Sequence, residues 1–474
     1  MLEIRDASFG KSRLYISAIL STLPLWGIGS PSLSFCSTTT DELSREFGDL
    51  SRLHVVEIAR GNTEYTQPFR EGSGCASYTL MDVIDVPKLP LNTACDLVIC
   101  TEMPLTTVQN ECAESLERIV EQAPYGYIRN VTDHSADILI RSLLSKGRQG
   151  RVVREMSAMV PGKVQVLWKP TDAVVTSALH DIPRLVDASQ SAVTYDLNGG
   201  RVGDSLISYF HAKWIAMEYR LPFLYKPFPD SEVFRLSDED QALEAHLPFQ
   251  HVVTISKKED VEQVAPSTLI VVPYFPDCPF ECLSLPFGCA YFPMQWSDPK
   301  FNGEVRRCLQ PKNCIAVRDR PQGCISVAVH VRRGGTWDNY GWISQILPLK
   351  FPPDSYYIEQ IQRIARIFPN QPLYVYVFTD DLRPDLLVKT FAGAIQNPYL
   401  TFDWNQVGQS ADKFEDFYTM AQFDCLIRPG SNFSLMAAQL GKHALIIFPT
   451  HCYFDQGRII VDAVEVQFCG SKSK

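Results

Sequence analysis

Apolar residues recur along the chain at two spacings, and the alternation between them is most regular from about residue 322 to 474. "CISVAVHV" (324–331) is a near-continuous apolar strand, and "DSYYIEQIQRIARIF" (354–368) follows with apolar positions at helical spacing. "LYVYVFTDD" (373–381) predicts a strand ending in two aspartates, and "RPDLLVKTFAG" (383–393) a helix with Pro384 near its start. A helix over 413–423, a short strand over 424–429, a helix over 431–440 and a strand over 443–449 complete the block. Strands this apolar, alternating with helices, predict a parallel sheet covered on both faces.

Two earlier blocks are less regular. Residues 50–182 hold strand patterns at 53–59, 77–83, 95–100, 125–131 and 163–169, with a helical pattern at 106–123. Residues 190–320 open on turn chemistry, "NGGRVGD", followed by Leu206, Ile207, Phe210, Trp214 and Met217 at helical spacing. "PFLYKPF" reads as a short strand, and the Pro- and Cys-rich remainder gives no clear pattern. The expected organisation is a tail over 1–49, a small α/β domain over 50–182, a second domain over 190–320 and a third over 322–474.

Composition narrows the function classes. The 474 residues carry a net charge of −10, against a sequence-independent nucleic-acid binder. Lys11 and Arg13 precede "LYISAILSTLPLWGIG", which reads either as an N-terminal tail or as a signal or anchor segment; no later segment reads as a membrane span. Six cysteines lie at 278, 282, 289, 308, 314 and 324, without paired zinc spacing; they read as free thiols, or as disulfides if the chain is secreted.

The chemistry concentrates at strand ends in the last block. Ligands in parallel α/β sheets bind beyond the carboxyl ends of the strands. "HVRRGG" ends one strand with His330, Arg332 and Arg333, and Gly334 and Gly335 give a ligand close approach. Guanidinium groups suit phosphate oxygens, and adjacent strand residues face opposite ways, so one of the two arginines is expected to enter the site. "RPGSNFS" runs into a helix whose first amides can receive an anion. Asp380 and Asp381 read as a helix cap or a cation ligand pair, the cap being expected.

These motifs, in order, resemble the fucosyltransferase superfamily that joins α1,2-, α1,6- and protein O-fucosyltransferases. "HVRRGG" is similar to its HxRxG motif, and "GGRVGDSLISYFHA" to its glycine loop and helix. "VFTDD" resembles its strand ending in Asp, and "EDFYTMAQFDCLIRPGSNFSLMAAQLGK" its C-terminal pattern. The resemblance implies a GT-B glycosyltransferase with two Rossmann-like domains, transferring fucose from GDP-fucose to a glycan or protein hydroxyl with inversion and without a metal. It implies that Arg332 stabilises the leaving diphosphate. His330, Arg333, Gly334, Asp380, Asp416, Ser431, Asn432, Phe433 and Ser434 would bind the nucleotide sugar. Gly200, Gly203 and Asp204 would form the loop across the cleft. Gly335 stands where many relatives have Asp, which makes Asp338 the candidate base. Residues 50–182 resemble a methyltransferase domain, but "VVEIARGN" keeps only Gly61 of its glycine loop, so no S-adenosylmethionine cofactor is expected. The alternatives are a sugar O-methyltransferase with a glycan-binding partner domain, and a non-catalytic scaffold binding nucleotide or glycan. The sequon at Asn432 falls inside the donor loop, which points to a cytoplasmic enzyme. A secretory or membrane-associated location follows instead if residues 11–34 act as a signal or anchor.

Overall fold

The computed structural model describes residues 54–59, 77–82, 97–100, 123, 125–131, 133–155, 163–170, 177–187, 189–197, 200–244, 249–255, 258–273, 294–334, 344, 347–405 and 412–470. The predicted helix over 106–123 lies almost wholly outside them, as do the tail over 1–49, Cys278, Cys282 and Cys289. Cys308, Cys314 and Cys324 are free thiols.

The chain is a mixed α/β protein with a mostly parallel central sheet. The first strands are β1 (His54–Ala59), β2 (Ser77–Asp82), β3 (Leu97–Cys100) and β4 (Tyr125–Val131), then helix α1 (Asp133–Ser145), β5 (Arg148–Glu155) and β6 (Lys163–Pro170). The middle of the chain holds β7 (Ala192–Tyr195), α2 (Val202–Tyr219), β8 (Leu224–Tyr225), α3 (Leu236–Glu239), β9 (Gln241–Ala242), β10 (His251–Thr254), β11 (Thr268–Val272) and α4 (Pro299–Cys308). The last part runs β12 (Ile325–Val331), α5 (Asp354–Ile367), β13 (Leu373–Thr379), α6 (Pro384–Ile395), β14 (Leu400–Trp404), α7 (Lys413–Met420), β15 (Cys425–Ile427), α8 (Asn432–Leu440), β16 (Leu445–Asp455) and β17 (Arg458–Cys469).

Twelve strands form one sheet in the order β14-β13-β12-β15-β16-β17-β5-β6-β4-β3-β1-β2. Its two flanks, β14 to β16 and β4 to β2, are parallel, and β17, β5 and β6 join them antiparallel. The hydrogen-bonded sheet therefore runs without a break from residues 54–170 into residues 325–469, because β17 pairs with both β16 and β5. A separate parallel sheet, β10-β11-β7, carries α2.

Strand parity sorts the core. Val327, Val329 and Val331 face one layer with α5, while Ala328, Tyr376 and Phe378 face a second layer with α2, α4, α7 and α8. This second layer also buries Val193, Tyr195, Ile270 and Val272, so both sheets share it. Capping follows the sequence closely at α4, where Asp298 accepts from the Lys300 and Phe301 amides ahead of a helix that has Pro299 in its first turn.

One ion network ties α1 to α5. Asp137, 1% exposed, accepts from Arg363 Nε at 2.6 Å and Arg366 Nε at 3.0 Å. Arg141 extends the seam by donating from Nε to the Ile367 carbonyl at 3.1 Å. Removing one partner of a buried pair leaves the other charge uncompensated. Asp137→Ala should therefore cost about 3–5 kcal/mol of stability, read as a lower urea midpoint. An unchanged midpoint would show that the network holds nothing.

Candidate functional site

β12, β13 and β15 run parallel, so their carboxyl ends lie side by side and deliver His330 and Arg332, Asp380, and Arg428 to one edge. Strand parity turns His330 and Arg332 towards the layer shared with α2 and α8. His330 is 6% exposed, its ring lies 6.1 Å from that of Phe433, and its Nδ1 has no hydrogen-bond partner among the described residues. Burial, then the cations Arg332, Arg201 and Arg428, push its pKa well below the ordinary value, so the imidazole is neutral at pH 7.

Arg332 is buried and pairs with Asp380, Nε to Oδ2, at 3.2 Å. Asp380 Oδ1 accepts from the Arg333 amide at 2.6 Å, so this carboxylate fixes the strand end. Arg333 is turned away from the site, which corrects its expected place among the ligand-binding residues. Its guanidinium binds Asp354, donates to the Pro352 carbonyl at 3.0 Å and lies over the Tyr357 ring, all on the α5 side. Gly334 is buried with φ +91°, a conformation that favours glycine. Asp381 accepts from the Arg383 amide at 2.8 Å, holding the turn into α6. Gly335 and Asp338 lie outside the described residues.

Two helix N-termini meet opposite these cations. Gly203, in the first turn of α2, lies so close to α8 that an added Cβ would stand 2.6 Å from the Phe433 amide nitrogen. Asn432 Nδ2 donates to Asp204 Oδ1 at 2.8 Å across the same contact. Neither helix has a side-chain cap: Arg201 and Ser431 occupy the cap positions without accepting from the first turn. Gly200 directly precedes Arg201, and Ser431 and Ser434 are buried beneath the turn. Uncapped first-turn amides leave donors for an anion.

Sequence reasoning missed Arg428, although it ends its strand in "CLIRPGS" by the rule that singled out Arg332. It is 6% exposed, stacks over Phe448 at 4.3 Å and has an Nε without a partner among the described residues. Burial brings its pKa down to about 10.

Asp416 lies on α7, beside this edge. Asn405 bridges it to the end of β13: Asn405 Oδ1 accepts from the Thr379 amide at 3.0 Å, and its Nδ2 donates to the Thr379 carbonyl at 3.2 Å and to Asp416 Oδ2 at 3.4 Å. Asp416 Oδ1 has no partner among the described residues. Burial pushes its pKa up to about 6, against the opposing pull of Arg318. Together these groups offer cations, amides and a neutral imidazole for a polyanion, and a carboxyl for a donor-rich ring. A polar groove of about 450 Å³, lined by Arg318, Arg320, Cys324, Ser326 and Asp424, opens a strand length away, at the amino end of β12.

No protein-family model matches the chain, and no curated protein matches it. Among solved structures it is similar to phosphoethanolamine N-methyltransferase 1 of Haemonchus contortus, in complex with phosphoethanolamine and S-adenosylhomocysteine. That similarity has 10% identity and a TM-score of 0.23, and covers 90% of this chain and 81% of that chain. At that score it carries no argument about fold or activity. Among the described residues no helix is long and apolar enough to cross a membrane.

The raised pKa of Asp416 gives stability a sign with pH. The folded chain binds this proton more tightly than the unfolded chain, so the contribution is present below pH 3.8 and lost as pH rises through about 6. Asp416→Asn should gain about 3 kcal/mol relative to wild type between pH 3.5 and 7. Denaturant midpoints across that range check it, and a difference that does not change with pH would contradict it.

Proposed function

We propose that the chain is a GT-B-type glycosyltransferase that takes a nucleoside-diphosphate sugar, GDP-fucose foremost, and transfers the sugar with inversion to a glycan or protein hydroxyl. One observation carries the reading: the buried cations Arg332 and Arg428 and the uncapped N-termini of α2 and α8 gather around His330. Two cations and two sets of first-turn amides fit a diphosphate better than a single carboxylate or phosphate. The resemblance of the ordered motifs to those of fucosyltransferases supports the choice of donor.

The chemistry follows from charge. Departure of the nucleotide builds negative charge on the β-phosphate, and a preorganised guanidinium at Arg332 stabilises it as it forms. Asp380 holds that guanidinium in place from behind. The carboxyl of Asp416, with one oxygen unpartnered, offers an acceptor to the adjacent N–H groups of a guanine edge.

Arg332→Ala should lower transfer by at least about 10²–10³-fold, with the fold intact because Asp380 keeps the Arg333 amide. Near-normal transfer would overturn the role. A thermal-shift panel of GDP-fucose, GDP-mannose, UDP-sugars and S-adenosylmethionine tests ligand class. A ligand at a hundred times its Kd adds about 2.7 kcal/mol of stability. Stabilisation by GDP-fucose is expected; stabilisation by S-adenosylmethionine alone would favour methyl transfer.

A further inference from the structure

The proposed transfer needs a base for the acceptor hydroxyl; Asp338 lies outside the described residues, and the described carboxylates near the site are unequally free to serve. Asp380 is committed to Arg332 and the Arg333 amide, and Asp381 to the turn before α6. Asp416 is held through Asn405 to the end of β13. Asp204 differs. It is half-buried in the first turn of α2, and Oδ1 is fixed by Asn432 at 2.8 Å. Among the described residues Oδ2 accepts no hydrogen bond, so the group is aimed but not used up. Gly203, next to it, touches the backbone of Phe433, whose ring lies 6.1 Å from that of His330; the buried Nδ1 of His330 has no partner among the described residues.

We propose that Asp204 is the general base of this chain; the inference rests on the donor reading above. Arg332 and Asp204 come from different sheets, β12 and the helix that follows β7, and in this assignment they serve the two ends of the displacement. An in-line displacement requires this division, with leaving group on one side and nucleophile on the other. The acceptor oxygen bonds to the anomeric carbon as its proton passes to Asp204 Oδ2. The bond from that carbon to the β-phosphate oxygen breaks, and its electron pair leaves on GDP beside Arg332. No other reactant is needed. Asn432 is a positioning residue, because it holds the carboxylate by the oxygen that does not take the proton.

Water can replace the unidentified acceptor, so the test is hydrolysis of GDP-fucose. Asp204→Asn, which can still accept from Asn432, and Asp204→Ala should both bind GDP as wild type does while hydrolysis falls about 10²–10⁴-fold. Azide needs no base, so adding it to Asp204→Ala should restore GDP release and yield fucosyl azide of inverted configuration. Wild-type hydrolysis in both variants would overturn the assignment and leave the donor reading intact. So would failure of azide to rescue a variant that binds GDP normally, or a wild type that binds GDP-fucose and never hydrolyses it. A wild type that binds no GDP-fucose would overturn the donor reading and this inference with it.

Discussion

The two sheets meet at the candidate site through one backbone contact, the approach of Gly203 to the start of α8. Only a residue without Cβ allows it, since any side chain would meet the Phe433 amide nitrogen at 2.6 Å. The contact brings two uncapped helix N-termini together, one carried by the three-stranded sheet and one by the twelve-stranded sheet. It also places the polar ends of both helices above the shared apolar layer, so the packing that joins the sheets also builds the candidate site. The clamp continues on the far side, where Arg306 of α4 donates to the Gln439 and Gly441 carbonyls at 3.1 Å each and closes the end of α8.

The cost of this arrangement is visible in its titrating groups. Burial, and then the three arginines around it, keep His330 neutral, and burial brings Arg428 down to about 10 while raising Asp416 to about 6. Unpaired buried groups are expensive, and they persist where a ligand completes them. A diphosphate would satisfy the cations and amides, and a purine edge the carboxyl. Asp380 and Asp137 show the contrasting case of carboxylates whose partners are all internal.

Much of the last block was legible because strand and helix periods are local. The strand carrying His330 and Arg332, the helix from Asp354 and the helix from Asn432 stand where the pattern predicts them. Parity alone indicates that Arg332 and Arg333 part company. The partners could not be read: Asp354 for Arg333, or Asn405 for Asp416, comes from a different element. β17, to which the pattern assigns nothing, is the clearest case. Its partner β5 lies some three hundred residues away in sequence, so its role in joining the two parallel flanks has no local signal. Gly203 is legible as turn chemistry but not as a contact with Phe433, since 230 positions separate them.

The central claim is that a nucleoside diphosphate sits at the carboxyl end of β12. A crystal structure of the chain soaked with GDP tests it most directly. The β-phosphate is expected within hydrogen-bonding distance of Arg332 and the first amides of α8, with the guanine edge on Asp416. GDP bound elsewhere, or no density at this edge from a crystal in which the site is open to solvent, would contradict it.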